Sequence, residues 1–364
     1  MKKETTAFHG SDLEKIEAVY GIKKEEIINF AANVNPLGFS KKAANVLADD
    51  LSIISRYPDP AYTKLKNAIS SYTNADSDNI ILGNGVTELL SLFLTIINPL
   101  KAVIIGPTYS EYEKDLKRLG CEICHIDALE TNDFILTADD IINQTPPDTD
   151  LVILCNPNNP TSGALRRPEL IKLAQAYQET GTYLMIDETY VEFSKDSDEI
   201  SSAALTNQFD HLLVLRGTSK FFATPGLRLG YALTKNSELL ASAKAMQDPW
   251  NINSVAETVG SVMFTDKEYI HLVQKTMEEE KVYVCDALAK IDGMKIFPVN
   301  GNIVLAKLPN GSLTSDELFD ILIRQGLMIR SCTSFQPLGN RFIRICFMSH
   351  DDNVKLINAI KSAL

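Results

Sequence analysis

Residues 212–230, LLVLRGTSKFFATPGLRLG, form the stretch around which the rest of the chain is arranged. Residues 212–215 are a short, unbroken apolar run that ends in turn-forming residues, which predicts a buried strand. A turn of small residues then leads to Lys220, and Arg228 follows eight residues later. A lysine at the mouth of a buried strand is costly to desolvate, so it shifts toward its neutral, nucleophilic form.

The two side chains have complementary chemistry. A neutral amine is what a Schiff base with an aldehyde requires, and the planar guanidinium of Arg228 suits a phosphate. An aldehyde together with a phosphate describes pyridoxal 5′-phosphate (PLP), so one interpretation is that Lys220 holds this cofactor. On this stretch alone, a surface loop that contains an ordinary lysine remains an open alternative.

Composition and charge narrow the class of protein. With 364 residues the chain exceeds one ordinary hydrophobic core, so two lobes are expected. Hydrophobic residues make up 45% and charged residues 23%, and the net charge of -12 has no basic stripe, which argues against nucleic-acid and anionic-membrane partners. The first residues lack a signal-peptide core, and residues 89–100, the longest apolar stretch, are too short to span a bilayer, so we expect a cytoplasmic protein.

The cysteines and histidines predict neither a disulfide nor a metal site. Cys121 and Cys124 have the spacing of a CxxC pair, but they lie in an alternating strand pattern, where an odd separation places them on opposite faces. The other four cysteines lie in or beside apolar runs and are interpreted as packing residues. The five histidines are scattered without ligand spacing.

From residue 79 onward, the pattern of strand, turn and helix repeats. Strands that alternate with helices form a mostly parallel sheet with right-handed crossovers, and ligands bind at the carboxyl ends of its strands. The positions at these predicted ends are polar or turn-forming: Tyr109, Asn159, Asp187, Lys220 and the turn 83–85. We therefore expect these positions to converge on one site.

The turn 83–85, Gly-Asn-Gly, has a further property. It precedes a helix that is predicted to begin at Val86 or Thr87. Glycines before a helix N-terminus let backbone N–H groups close on an anion, with help from the helix dipole. An ordinary strand-to-helix turn is the open alternative.

The chain divides into three predicted parts. Residues 1–40 read as an N-terminal arm that packs with a small domain, residues 41–250 as a large domain, and residues 251–364 as a C-terminal small domain. In the last part, Arg330 and Arg344 each lie on an apolar strand. A salt bridge at a sheet edge is the open structural explanation for either arginine.

Three motifs, in this order and spacing, carry a resemblance to a known family. They are 159–161 (Asn-Pro-Thr), 187–190 (Asp-Glu-Thr-Tyr), and Ser219-Lys220 with Arg228. Over nearly its whole length the chain resembles the fold-type I PLP enzymes, specifically the class I/II aminotransferase superfamily. Two positions depart from the family pattern, since Ser162 occupies a glycine position and Gly217 stands where relatives often place a phosphate-binding Ser or Thr.

The resemblance implies a fold and a set of roles. The fold class is α/β, with a large PLP-binding domain built on a mostly parallel sheet between helices, and a smaller α+β domain formed by the N-terminal arm and the C-terminal part. Lys220 would form the Schiff base with the cofactor, Asp187 would pair with the pyridine nitrogen, and Arg344 would clamp the substrate α-carboxylate. The remaining implied cofactor contacts are Asn159 and Tyr190 to the phenolic oxygen, Tyr109 on the ring face, and Gly85, Val86, Thr87, Thr218, Ser219 and Arg228 around the phosphate. Tyr57 would reach the phosphate of a neighbouring subunit, which implies a homodimer with shared sites.

Two branches of the superfamily compete, and both act on small phosphorylated substrates. The His9-Gly10 arm, the segments 33–38, 83–89 and 248–253, and the spacing from Arg330 to Arg344 resemble the L-threonine-O-3-phosphate decarboxylases. In that branch His9, Asn35 and the two arginines would bind the substrate, although an exposed arm residue is the alternative for His9. The other branch is the histidinol-phosphate aminotransferases.

The resemblance thus implies one expected reaction and two alternatives. The expected reaction is decarboxylation of L-threonine O-3-phosphate to (R)-1-amino-2-propanol phosphate, a step of cobalamin biosynthesis. The first alternative is transamination of histidinol phosphate with 2-oxoglutarate. A PLP-sensing regulator is the remote one, because no basic helix-turn-helix extension precedes residue 30.

Overall fold

The computed structural model describes residues 8–364. Among these residues, thirteen strands are formed: β1 Ile28–Asn29, β2 Ile80–Gly83, β3 Lys101–Gly106, β4 Glu122–Asp127, β5 Leu151–Cys155, β6 Tyr183–Asp187, β7 Leu212–Gly217, β8 Gly230–Leu233, β9 Lys295–Ile296, β10 Ile303–Lys307, β11 Leu327–Met328, β12 Arg330–Ser331 and β13 Phe342–Cys346. The same residues form thirteen α-helices: α1 Leu13–Tyr20, α2 Lys41–Asp49, α3 Thr63–Thr73, α4 Val86–Ile97, α5 Glu111–Arg118, α6 Ala138–Gln144, α7 Arg167–Thr180, α8 Ser197–Ile200, α9 Ser237–Met246, α10 Ser254–Met263, α11 Lys267–Ala289, α12 Ser315–Ile323 and α13 His350–Ala363.

A seven-stranded sheet of order β2-β8-β7-β6-β5-β3-β4 forms the centre of the fold. β3 to β7 pair in parallel, as predicted, and only β8 runs antiparallel to its two neighbours. All residues of β5 and β7 are buried, because crossover helices cover both faces of such a sheet. The predicted α/β class and the buried strand at residues 212–215 are therefore confirmed.

Strand β8 is the strand of the large sheet that the sequence pattern did not reveal. It has only four residues, and its register pairs Gly217 with Gly230. The intervening loop of residues 218–229 contains a single short 3₁₀ turn, Pro225–Leu227, rather than a crossover helix. Without a crossover the chain can return only antiparallel, so the loop that carries Lys220 and Arg228 is held at both ends by paired strands.

A second, four-stranded sheet of order β12-β13-β10-β9 lies in the C-terminal part and is antiparallel throughout. The sequence pattern predicts one strand over residues 327–331, and this prediction is wrong, since the segment divides into two short strands in different sheets. β11 pairs with β1 of the N-terminal segment, whereas β12 pairs with β13. Through β11 the C-terminal part pairs with the N-terminal segment. Through β12, one residue further on, it places Arg330 beside Arg344.

The sequence pattern predicts a long helical region over residues 238–290, interrupted at residues 248–251, and the structure has this interruption between α9 and α10. Helix α10 packs against α2 and α3, which come from the part of the chain before residue 250. The division at residues 40 and 250 stays a prediction. None of the helices formed by residues 8–364 is long and apolar enough to cross a membrane.

Candidate active site

A cavity of about 410 Å³ opens where the carboxyl ends of β5, β6 and β7 face the N-terminal segment and Arg344. It is lined by eleven of the side chains that the sequence singled out: His9, Val86, Thr87, Tyr109, Asn159, Asp187, Tyr190, Ser219, Lys220, Arg228 and Arg344. Strand ends from distant parts of the chain meet here because parallel strands share one carboxyl edge. The expected convergence at this edge is thus found.

Lys220 lies in the loop after β7 and is partly buried. Its Nζ donates a hydrogen bond to the backbone carbonyl of Ala32, 2.6 Å away. Burial, together with the nearby charge of Arg344, lowers the pKa of Lys220 to about 8. The uncharged, nucleophilic fraction of this amine at neutral pH is therefore far larger than that of an ordinary lysine.

Asp187, the last residue of β6, is buried and accepts hydrogen bonds from three donors. The Tyr112 hydroxyl donates to Oδ2 at 2.6 Å, and the backbone N–H and hydroxyl of Thr189 donate to Oδ1 at 2.9 and 2.5 Å. Burial raises the pKa of Asp187, and these donors oppose the rise. A protonated ring nitrogen would supply the cationic partner that such a carboxylate favours.

Tyr112 and Thr189 were not among the residues predicted from the sequence. Thr189 follows the aspartate by two positions, the spacing of an Asx turn, so its bond to Asp187 could have been recognised. Tyr112 lies 75 positions from Asp187, and nothing local to it indicates the contact.

Tyr190 and Tyr109 bring two further hydroxyl groups to the cavity. The hydroxyl of Tyr190 accepts a hydrogen bond from Nδ2 of Asn33 at 3.1 Å, and burial raises the pKa of Tyr190 well above its ordinary value. Burial also raises the pKa of Tyr109 to about 12. Both phenols are therefore protonated at neutral pH and able to donate.

The turn 83–85 forms a tight cradle beside Arg228. Gly85 has φ +87°, and a Cβ built on it would lie 2.7 Å from Nη2 of Arg228, so only glycine fits. Helix α4 begins directly afterward without a side-chain cap, which leaves its first N–H groups for a ligand. Arg228 donates to the carbonyls of Asn84 and Pro225, and no carboxylate of residues 8–364 pairs with it. The donor set fits a phosphate group.

Arg344 is buried on β13, yet its bonds are to neutral groups. Nη1 donates to Oδ1 of Asn159 at 2.6 Å and Nη2 to the carbonyl of Ala31 at 2.5 Å, while Nε has no partner among the described residues. Asn159 therefore faces Arg344 in this structure. A buried guanidinium without a carboxylate indicates a place for an anionic ligand.

Two more basic groups lie beside Arg344. The pKa of Arg330 is lowered to about 10 by burial and by Arg344. Burial, followed by Arg330, Arg344 and Lys220, lowers the pKa of His9. Asp12 of the same segment accepts a hydrogen bond from the His9 backbone N–H at 2.8 Å and pairs with Lys15 at 2.9 Å. The protein has an overall acidic balance, but this end of the cavity is locally electropositive.

Five of the predicted residues lie outside the cavity wall. Gly85 stands behind it in the cradle, and the buried hydroxyl of Thr218 donates to the carbonyl of Leu229 at 3.0 Å. The side chain of Asn35 donates to the Phe221 carbonyl and the Tyr269 hydroxyl. Tyr57 is 80% exposed, with its ring against Trp250. Arg330 donates hydrogen bonds to the Phe8 carbonyl and to the Ser334 hydroxyl.

Ser162, which replaces the glycine of the family pattern, has φ +60°. Its hydroxyl oxygen accepts hydrogen bonds from the backbone N–H groups of Asn300 and Gly301 at 3.1 and 3.0 Å. The side chain thus joins the loop that carries Asn159 to the start of β10. Gly217, the other departure, lies on the cavity wall, where a Cβ would meet Val86 at 2.7 Å.

Comparison with known proteins agrees with this geometry. The model of the family "aminotransferase class I and II" matches residues 25–360. The chain is 31% identical over 356 residues to threonine-phosphate decarboxylase of Salmonella typhimurium, covering 98% of this chain and 96% of that protein. It is 34% identical over 352 residues to histidinol-phosphate aminotransferase of Clostridium novyi, covering 94% and 93% of the two chains.

A solved structure shows the same architecture. Histidinol-phosphate aminotransferase from Clostridium acetobutylicum superposes with a TM-score of 0.85 at 32% identity, covering 92% of this chain and 98% of that one. The family match extends over most of the sequence and includes the strand ends that form the cavity. The chain belongs to the class I and II aminotransferase family, and PLP is the cofactor of this family.

Proposed function

We propose that the protein decarboxylates L-threonine O-3-phosphate to (R)-1-amino-2-propanol phosphate. The observation that carries this proposal is a pair of arginines at one end of the cavity: Arg344 lies on the cavity wall and Arg330 lies opposite it in the sheet, behind the wall. Their printed hydrogen bonds go to neutral groups, and neither forms an ion pair with a carboxylate of residues 8–364. A phosphate carries about −1.5 to −2 charge at neutral pH. A substrate with both a phosphate and a carboxylate matches two separate cationic positions.

Each functional residue of the cavity has a separate proposed role. PLP, when bound, supplies the electron sink for the bond that breaks at Cα. Asp187, held by Tyr112 and Thr189, would keep the ring nitrogen protonated, and Lys220 would hold the cofactor and return a proton to Cα. Arg344 would orient the substrate carboxylate, with the phosphate toward His9 and Arg330.

The second candidate is a histidinol-phosphate aminotransferase. The specific observation in its favour is the similarity to two proteins of that name, at 34% and 32% identity. Histidinol phosphate carries a phosphate but no carboxylate, so it would occupy only one of the two cationic positions. This difference favours the decarboxylase, although glutamate, the partner substrate of the transaminase, would also engage Arg344.

The discriminating experiment is one incubation of the PLP-loaded enzyme with L-threonine O-3-phosphate and no keto acid. We expect carbon dioxide to be released while the cofactor remains an aldehyde. Conversion of the cofactor to pyridoxamine phosphate would instead establish an aminotransferase. Absence of both changes, followed by turnover with histidinol phosphate and 2-oxoglutarate, would assign the second candidate.

We further propose that two subunits share their active sites. The rings of Tyr57 and Trp250 are in contact, with centroids 4.7 Å apart. Leu51 and Ile54 lie on the 3₁₀ helix Leu51–Ser55, which lies just before Tyr57 in the chain, and are 60% and 67% exposed. Exposed apolar groups in one cluster are typical of an interface. This surface would place Tyr57 of one subunit near the cofactor phosphate of the other.

A further inference from the structure

The turn 83–85, called here the phosphate turn, follows β2 at the edge of the large sheet. Within residues 8–364, β2 pairs with β8 alone, so one side of this strand has no neighbouring strand from that part of the chain. The carbonyl of Leu82 instead accepts two side-chain amides, Nε2 of Gln247 at 2.6 Å and Nδ2 of Asn251 at 3.1 Å. Both donors come from the segment 247–253 between α9 and α10, called here the brace.

The phosphate turn also contacts the backbone of the brace. Nδ2 of Asn84, the central residue of the turn, donates to the carbonyl of Asn251 at 2.8 Å. The backbone of Asn84 is held from two further sides, since its N–H donates to the Glu88 carboxylate at 3.2 Å and its carbonyl accepts from Nη2 of Arg228 at 2.9 Å. The position of Arg228 relative to the helix N-terminus is therefore set through Asn84.

The brace is itself fixed in place. Ile252 is fully buried, and the Tyr62 hydroxyl accepts from its N–H at 3.0 Å and donates to its carbonyl at 3.2 Å. The next residue, Asn253, caps α10 through the N–H of Ala256. The amides of Gln247 and Asn251 thus extend from a rigid segment rather than from a mobile loop.

We propose that Gln247 and Asn251 are positioning residues for cofactor binding, because their side chains hold Leu82, the residue that leads into the phosphate turn. By fixing the start of the turn, they keep Asn84, and with it Arg228, in register with the start of α4. They act on the phosphate end of the cofactor only. This inference rests on the assignment of the turn 83–85 and Arg228 to the cofactor phosphate. The positioning role also gives a function to the segment 248–253, which has no part in the proposed reaction.

The test compares two ligands that differ only in the phosphate. Apoenzymes of the wild type, Asn251→Ala and Gln247→Ala are titrated with PLP and with pyridoxal, and the dissociation constants are measured from the absorbance of the bound ligand. We expect each substitution to weaken PLP by about tenfold, the size of one lost hydrogen bond, and to leave pyridoxal unchanged. The matched control is Asn236→Ala, which removes the cap of α9 but no contact with the turn, and should change neither constant.

A third variant separates failure of the inference from failure of the site assignment. If Arg228→Gln leaves PLP affinity intact, the phosphate does not bind at this turn and the assignment fails. If Arg228→Gln weakens PLP but Asn251→Ala and Gln247→Ala do not, or if they weaken PLP and pyridoxal equally, the positioning role is overturned. Thermal unfolding of each apoenzyme checks folding, and Gln247→Ala, which leaves one donor on Leu82, decides the matter if Asn251→Ala does not fold.

Discussion

At the scale of single residues, the surroundings of Lys220 lower the pKa of its amine. Its amine is buried within the electrostatic reach of the Arg344 guanidinium, and among the described residues only the Ala32 carbonyl accepts a hydrogen bond from it. A neighbouring cation and partial loss of water both disfavour the ammonium form. The same guanidinium that is proposed to bind the substrate carboxylate therefore also activates the lysine.

The pH dependence of cofactor capture tests this pairing. The apoenzyme should bind PLP covalently at a rate that rises with pH and reaches half its maximum near pH 8, because only the neutral amine reacts. Arg344→Met should move this midpoint to higher pH, since it removes a charge that lowers the pKa of Lys220. Stopped-flow absorbance measures the rate, and an unchanged midpoint in the variant would contradict the electrostatic explanation.

Glu192 is a buried residue that the proposed reaction does not use. Its carboxylate oxygens have no hydrogen-bond partner among the described residues, and the nearest cation, Arg216, lies 3.9 Å away and is engaged with Glu188. Burial raises the pKa of Glu192 to about 7. The folded protein therefore holds this proton over a pH range in which an unfolded glutamate, with its ordinary pKa near 4.5, has released it.

The consequence for stability has a definite sign. Because the folded state binds the extra proton, stability from this group falls as the pH rises from about 4.5 to about 7. Glu192→Gln lacks the titration, so it should be more stable than the wild type by about 3 kcal/mol at pH 8 and similar to it near pH 4.5. Chemical denaturation at several pH values measures this difference, and a variant that is less stable at pH 8 would contradict the prediction.

At the scale of elements, the N-terminal segment completes the cavity by close packing. Gly10 lies so near β1 and its continuation that a Cβ on it would be 2.3 Å from the carbonyl of Ala31. Nδ2 of Asn29 donates to the Gly10 carbonyl at 2.7 Å, and the ring of Phe8 stacks on Phe319 with centroids 5.6 Å apart. These contacts place His9 in the cavity wall.

A single methyl group should displace this segment. Gly10→Ala should raise the KM for the substrate at least fivefold, because the arm must move away from Ala31, and should leave the affinity for PLP unchanged. Gly226→Ala is the matched control, since a Cβ there meets nothing within 4 Å and the KM should stay within twofold. Steady-state kinetics with the cofactor saturated measures both, and an unaltered KM in Gly10→Ala would show that the arm does not set substrate binding.

At the scale of the whole molecule, the exposed cluster of Leu51, Ile54, Tyr57 and Trp250 tests the shared-site dimer. Ile54→Asp should shift the protein from dimer to monomer and lower activity more than tenfold, because a buried carboxylate at an interface is costly and Tyr57 would no longer reach the second site. Val282→Asp, at a residue of α11 that is 53% exposed, should leave the dimer intact. Sedimentation velocity and activity are measured together, and a fully active monomer would contradict the shared site.

The sequence by itself determined the fold class and the residues around which the site is built. Runs such as residues 212–215 are entirely apolar because parallel strands are buried on both faces, so each strand end could be located from local pattern alone. Lys220, Asp187 and Asn159 all follow such runs, and the common carboxyl edge of the sheet brings them together. The four-residue β8 and the division of the strand at 327–331 were not predicted. Such short strands are stabilised by pairing with their neighbours, and their own residues show too little pattern to reveal them.

Only the tertiary structure decided how these residues are held. Tyr112 meets Asp187 across 75 positions, Asn251 meets Leu82 across 169, and Arg344 meets Ala31 across 313. Each contact joins segments that lie far apart in the chain, and its geometry depends on the packing of every element between them. For the same reason Arg330 and Asn35 have polar partners outside the cavity wall, which no local pattern of residues could indicate.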